Sequence, residues 1–242
     1  MILITRPHEE AKVLEKEFLH IGKECVIDSL LNFKLHYKKI PIEKKVLYLI
    51  SSSQAVKALT KYKDKHHQLL TNGEFIIVGK KVSTELKKIS PIQIKKVTKD
   101  SDDMKKFLIS QWRTKNYKKI VFISGSVFNR EFVSNLTKKQ IVVKRKVLYT
   151  TLQTKNFKQK TIRLFNHGKI THVVFYSSFT AEVFLKLLKM NALEKKVRDI
   201  IPVSLSKRID AILEKSQLFN KTLISRKPNE SSLIKKIIAK KL

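Results

Sequence analysis

Leu49-Ile50-Ser51-Ser52-Ser53-Gln54-Ala55-Val56-Lys57-Ala58-Leu59 returns, 126 residues later, as Phe175-Tyr176-Ser177-Ser178-Phe179-Thr180-Ala181-Glu182-Val183-Phe184-Leu185. Each copy is an apolar run, a serine pair, then an amphipathic stretch containing alanine. That is the pattern of a strand, a tight turn and a helix. A second strand-to-helix turn follows in each half: Ile77-Val78-Gly79-Lys80-Lys81-Val82-Ser83, and Pro202-Val203-Ser204-Leu205-Ser206-Lys207-Arg208. Two similar α/β units are the simplest account of the repeat.

The alternation extends outward in both directions. Short β-branched runs predict strands near 2–5, 46–50, 75–78, 92–97, 119–123, 141–149, 171–176, 199–203 and 221–224. Between most of them, helices are predicted near 8–21, 53–63, 81–89, 102–114, 128–137, 157–167, 179–190, 206–215 and 229–241. In the first helix Ala11, Leu14, Phe18 and Ile21 recur at helical spacing, and in the seventh Ala181, Phe184, Leu185 and Leu188 do so. Nearly continuous apolar strands alternating with helices imply parallel sheets covered on both faces. The 242 residues, 42% of them hydrophobic, suffice for two domains of common size.

The net charge of +32 raises nucleic acid as a partner. Lysine supplies 44 of the 52 basic residues and is spread along the whole chain, whereas arginine, the usual reader of phosphates and base edges, is scarce. Compositional drift toward lysine accounts best for the charge, specific nucleic-acid binding is disfavoured, and an anionic small molecule would still be attracted. No apolar run approaches the ~20 residues of a membrane helix. The N-terminus does not read as a signal peptide, and the single Cys25 excludes an internal disulfide. A cytoplasmic location is expected.

Several chemistries lack their usual parts. The seven histidines are scattered, and the adjacent His66 and His67 cannot face one site on a helix. There is no Gly-x-Gly-x-x-Gly after the first strand, no Walker loop and no Gly-x-Ser-x-Gly elbow. What remains is a set of hydroxyls, amides and cations at strand-to-helix turns: Thr5 with Arg6, Ser51 to Ser53, Gly79 with Lys80, Ser124 to Ser126, Ser177 with Ser178, and Ser204 to Lys207. In a parallel sheet these turns line the carboxyl edge, where ligands bind and helix N-termini offer free amide donors. Carboxylates suit such positions. Each serine taken singly is equally a helix N-cap.

Ile2-Leu3-Ile4-Thr5-Arg6-Pro7 resembles the opening strand of the uroporphyrinogen-III synthase family. Ser51-Ser52-Ser53-Gln54-Ala55-Val56 is similar to its first serine turn, and Val78-Gly79 to the next. Ile123-Ser124-Gly125 followed by Arg130, Val147-Leu148-Tyr149-Thr150, Phe175-Tyr176-Ser177-Ser178 with Ala181, and Leu205-Ser206 resemble further family segments, in order along nearly the whole chain. Val82, with Ser83 and Thr84 beside it, and Phe179 stand where the family usually has a threonine and a proline, and the glycine usual in its last turn is missing, with Ser204 in its neighbourhood.

The resemblance implies two flavodoxin-like α/β domains, 1–34 with 151–242 and 35–150, joined by two antiparallel crossing strands near Cys25–Leu35 and Val142–Thr151, with the substrate in a cleft between them. It implies a cofactor-free, metal-free monomeric lyase that cyclises hydroxymethylbilane, a linear tetrapyrrole polycarboxylate, to uroporphyrinogen III with loss of water and inversion of ring D. Tyr149 becomes the candidate general acid, against a role as a packed hinge aromatic. Arg6, Ser51, Ser52, Gly79, Lys80, Ser124, Gly125, Ser177, Ser178, Ser206 and Lys207 become candidate carboxylate contacts. Two alternatives stand beside it: a non-enzymatic polyanion or nucleic-acid binder on the same scaffold, and a family member that has lost activity.

Overall fold

Val46–Ile50 is the organising strand of one of the two halves. All five residues are buried, and they divide by parity: Val46, Tyr48 and Ile50 join one apolar cluster, Leu47 and Leu49 another. Side chains on a strand alternate between faces, so a strand buried on both faces must lie between two layers of helices. The same split recurs at Phe75 and Ile77 against Ile76, and at Val121 and Ile123 against Ile120 and Phe122.

The computed structural model describes residues 1–112, 114, 116–227 and 229–238. The chain runs β1 (Ile2–Ile4), α1 (His8–His20), β2 (Cys25–Ile27), β3 (Leu31–Leu35), β4 (Val46–Ile50), α2 (Ser53–Lys61), α3 (His67–Asn72), β5 (Glu74–Val78), α4 (Lys80–Lys87), β6 (Gln93–Thr98) and α5 (Ser101–Trp112). It continues with β7 (Lys119–Gly125), α6 (Arg130–Thr137), β8 (Val143–Gln153), α7 (Gln159–Asn166), β9 (His172–Phe175), α8 (Ser178–Met190), β10 (Ile201–Ser204), α9 (Lys207–Lys215), β11 (Leu223–Ile224) and α10 (Glu230–Ile238). The helix expected to 241 is described to Ile238; residues 239–241 lie outside the described set.

Two compact units result: Met1–Asn32 with Leu152–Leu242, and Phe33–Thr151. In the first, the sheet order is β11-β10-β9-β1-β2, with parallel neighbours throughout. One face packs Ile2, Ile4, Leu14 and Phe18 with Leu233 and Ile237 of α10. Elsewhere in this unit Phe157, Phe165, Phe175 and Phe184 form an aromatic cluster with ring centroids 5.1–6.2 Å apart.

In the second unit the order is β3-β8-β7-β4-β5-β6. If the two serine-pair strands, β4 and β9, are taken as equivalent, then β6-β5-β4-β7-β8 lies position for position on β11-β10-β9-β1-β2. Chain order is flavodoxin-like in the first sheet and runs 3-2-1-4-5 in the second, and β3 is an addition at the second sheet's edge.

One expectation is corrected. Cys25–Leu35 is not a single crossing strand. β2 pairs with β1, Ile2 opposite Cys25, whereas β3 neighbours β8 in the other sheet. The break falls at Asp28, which is buried and whose carboxylate accepts the Lys158 N–H at 2.8 Å. The backbone stays bonded to the end of β1 through this break, the Asp28 N–H to the Ile4 carbonyl at 3.0 Å and the Leu30 N–H to the Thr5 carbonyl at 3.2 Å, before β3 begins at Leu31. The helix expected over 53–63 also divides: α2 ends at Lys61, a 3-10 turn covers Lys63–His66, and α3 follows.

Candidate active site

The strand order of the second unit reverses between the parallel strands β4 and β7: the chain proceeds from β4 outward to β5 and β6 and from β7 outward the other way to β8. Such a switch point opens a crevice at the carboxyl ends of the strands. A cavity of about 70 Å³ occupies this place, lined by Ser51, Ser124, Gly125, Phe128, Asn129 and Tyr149 among others. Four of the residues singled out in the sequence are thereby brought together: Ser51, Ser124, Gly125 and Tyr149. Ser52 joins them through its hydroxyl.

Tyr149 is positioned by an irregularity in β8. The register against β7 shifts between Ser124, opposite Val147, and Gly125, opposite Tyr149. Bulges of this kind re-aim side chains at the ends of strands. The Tyr149 ring comes to rest against Gly125, and a Cβ added there would fall inside the ring's van der Waals envelope. Phe33 meets the ring edge-on at 5.6 Å. β3 also steadies β8: the His36 N–H donates to the Leu148 carbonyl at 2.8 Å, and the His36 Nε2 lies 2.7 Å from the Thr150 hydroxyl.

The Tyr149 hydroxyl donates to Ser52 Oγ at 2.9 Å. Ser52 Oγ also accepts the Gln54 N–H at 3.1 Å, as the N-cap of α2. With two bonds accepted, the Ser52 O–H remains available as a donor. Burial pushes the Tyr149 phenol above its ordinary pKa, opposed by its bonds to Ser52 and the Gly125 backbone. The phenol therefore keeps its proton at neutral pH.

Gly79 and Lys80 lie at the neighbouring β5–α4 turn, outside the cavity. Gly79 has φ +86, a backbone conformation that penalises any side chain, and its N–H donates to the Thr98 carbonyl at 2.8 Å. Lys80 is exposed at the first position of α4.

The remaining candidates lie in the first unit, also on strand-to-helix turns. Thr5 Oγ1 donates to the Val174 carbonyl at 2.8 Å, tying β1 to β9 at that sheet's own switch point. Arg6 stacks 4.1 Å above the Tyr176 ring, and its guanidinium is paired with Glu10 and Glu230. Burial alone would lower its pKa; the two carboxylates more than offset that, and the net shift is upward. Ser177 caps α8, accepting the Thr180 N–H at 3.1 Å, and Ser178 opens that helix. Ser206 holds the N-cap place of α9 without a side-chain capping bond, and Lys207 is exposed beside it. Ser204 is fully buried and donates to Asp210 at 3.1 Å, a fold-stabilising contact.

Sequence reasoning missed Arg145. Its guanidinium donates to the Gly125 carbonyl at 2.7 Å and to Ser124 Oγ at 3.3 Å, and lies 3.3 Å from the centre of the Phe128 ring. In the sequence it is hidden within Lys144-Arg145-Lys146, a run that reads as solvated charge. Among the described residues no group of three or more His, Cys, Asp or Glu side chains is placed to hold a metal ion, and no helix is long and apolar enough to cross a membrane.

A family model, uroporphyrinogen-III synthase HemD, matches residues 37–235. No curated protein sequence gives a significant match. Among solved structures, the chain is similar to the uroporphyrinogen-III synthetase of Helicobacter pylori 26695, at 12% identity, 98% coverage of each chain and a TM-score of 0.64. It is also similar to a mutant uroporphyrinogen III synthase of Thermus thermophilus, at 10% identity, 98% and 97% coverage and a TM-score of 0.60. At these identities the structures speak for the fold. The family model takes in most of the sequence, including both serine-pair turns and the Tyr149 strand, and by it the chain belongs to the uroporphyrinogen-III synthase family, cyclising lyases of haem biosynthesis.

Proposed function

We propose that this chain closes hydroxymethylbilane to uroporphyrinogen III, with Tyr149 as the proton source and the hydroxyls, amides and cations of the carboxyl edges as carboxylate contacts. The Tyr149–Ser52 hydrogen bond at the switch point carries the proposal. The bilane's terminal hydroxyl leaves as water, taking a proton from the Tyr149–Ser52 pair while the ring A pyrrole N–H gives one up. The resulting azafulvene is attacked by the substituted carbon of ring D. The spiro intermediate fragments and recloses with ring D inverted.

The bilane also cyclises unaided, to the wrong isomer, so the enzyme's main task is geometric: holding rings A and D together. Ser51, Ser124 and Gly125 line the cavity beside Tyr149, with Ser52 at the phenol hydroxyl, and this edge would take one carboxylate arm. Lys80, Ser177, Ser178, Ser206 and Lys207 would take others, through helix-end amides and point charges, with Gly79, whose N–H is already held by the Thr98 carbonyl, shaping the turn before Lys80. Arg6 contributes only by exchanging Glu10 or Glu230 for a substrate carboxylate, since both already hold it. Action as a monomer, in the cytoplasm and without a cofactor, belongs to the same proposal.

The test supplies freshly made hydroxymethylbilane to the folded chain, without added metal or nucleotide, and separates the product isomers by chromatography. Isomer III is expected. An isomer ratio equal to that of the enzyme-free control would overturn the proposal.

A further inference from the structure

We propose that Arg145 is the docking point for one carboxylate of the substrate in the second unit. The proposal rests on the functional reading above and adds a residue that the family resemblance does not supply.

The guanidinium is pinned in three ways. Its Nε–H reaches Ser124 Oγ, one Nη2–H reaches the Gly125 carbonyl, and its plane is held over Phe128. These contacts use the side edge of the fork. The end edge, Nη1 with the second Nη2–H, keeps three of the five N–H donors, in the spacing that a carboxylate accepts in bidentate fashion. A fork whose orientation is already fixed loses little freedom on binding.

Its charge is also unanswered. Among the described residues no carboxylate pairs with Arg145 or with Arg130, the first residue of α6. Arg6, at the equivalent edge of the other sheet, is held by two carboxylates and does not share this property. Arg145 is half-buried, and both burial and the nearby Arg130 depress its pKa, so an arriving anion would relieve a standing electrostatic cost. Ser124, Gly125 and Phe128, the three residues that hold the guanidinium, also line the cavity beside Tyr149. A carboxylate on the free edge of Arg145 would anchor its pyrrole ring near the Tyr149–Ser52 bond.

The experiment compares wild type, Arg145→Lys, Arg145→Gln and Arg130→Gln in hydroxymethylbilane turnover, with thermal unfolding alongside. Arg145→Gln is expected to raise KM roughly 10- to 100-fold, the equivalent of one charge-assisted pair, with a smaller change in kcat. Arg145→Lys should fall between, because a point charge lacks the fork, and Arg130→Gln should raise KM least. The rise of KM with added NaCl should be shallower in Arg145→Gln than in wild type. A purely structural clamp would lower Tm and leave KM and its salt dependence alone; that result overturns the proposal. Should Arg145→Gln not fold, unchanged KM in both Arg145→Lys and Arg130→Gln overturns it equally. A wild type that does not convert the bilane overturns the functional reading itself, and this subsite with it.

Discussion

The hydroxyl of Tyr149, within β8, donates to the hydroxyl of Ser52, which caps α2 from a position 97 residues earlier. One bond thereby joins a candidate acid to the N-terminus of a helix on the ligand-binding edge. If the pair delivers a proton as a unit, Tyr149→Phe should slow kcat by roughly 10²-fold, the lower end for general acid catalysis, because the leaving hydroxyl departs readily. Ser52→Ala should cost nearly as much, and the double variant little more than either alone. Additive losses would separate the two roles. Ser177→Ala, at a helix cap in the other unit, is expected to matter less than Tyr149→Phe.

The burial of the phenol sets a pH expectation. Burial raises the Tyr149 phenol above its ordinary value of 10.0. An acid must be protonated to act, so kcat should not fall on the alkaline side until the pH exceeds that value. An alkaline limb centred near pH 8 would assign the proton to another group.

Gly125→Ala should displace the Tyr149 ring, because the new Cβ would collide with it. A loss of about 1–3 kcal/mol in stability is expected, as for overpacking in a core, together with a fall in kcat exceeding that of Ser124→Ala. Urea unfolding and turnover measured on both variants check this. A fully active, fully stable Gly125→Ala protein would mean that the ring does not need its present seat.

His66 is buried beside Tyr37 and next to Asp64 and Lys65, and burial lowers its pKa below 6.5. As the pH falls through 6.5 the unfolded chain takes up a proton that the folded chain refuses until its own lower pKa. Stability should therefore be undiminished above 6.5, fall below it, and level off beneath the folded value. His66→Leu should flatten that part of the curve. Urea midpoints at pH 7.5, 6.0 and 5.0 measure it; parallel curves for the two proteins would show that the imidazole titrates freely in the fold.

Cys25 should be chemically quiet. Burial, aided by Glu15 and opposed by the N-terminal amine, lifts its thiol to about 12. At pH 8 only about one molecule in 10⁴ would then carry the thiolate that reacts. Ellman's reagent should label native protein slowly and denatured protein at once. Native labelling at the rate of a free thiol would contradict the shift.

Most elements were legible because the central strands, such as Val46–Ile50, are apolar on both faces and the helices are apolar on one. Val46–Ile50 and Ser53–Lys61 meet at a serine pair that both halves share, so the repeat marked the ligand edge as well as the fold. The division of Cys25–Leu35 was not legible: Cys25-Val26-Ile27 and Leu31-Asn32-Phe33 both suit a strand, and what separates them is a change of partner, from β1 for the first to β8, more than 100 residues away, for the second. Arg145 escaped for a similar reason. Its partners Ser124, Gly125 and Phe128 are some 20 residues distant in the chain, and only the β7–β8 register brings them within reach. Arg6 stood out in the sequence as a candidate contact for a substrate carboxylate, but nothing local announces Glu230 as its counter-ion in the fold.

The equivalence of the two strand orders bears on how the chain folds as it is synthesised. The second unit is one uninterrupted run, Phe33–Thr151, whose strands all find their neighbours within it. The first unit is split around that run. β1 is an interior strand of its sheet, between β2 and β9, and Ile2 pairs with His172, 170 residues further on. At about 5–20 residues per second, ribosomes would leave that strand waiting roughly 10–30 s for its partner. The lobe begun first is thus the lobe completed last. Its opening strand spans only Ile2–Ile4, with Arg6 and Pro7 close behind, and so short an apolar edge offers little for a neighbouring nascent chain to pair with in the interval.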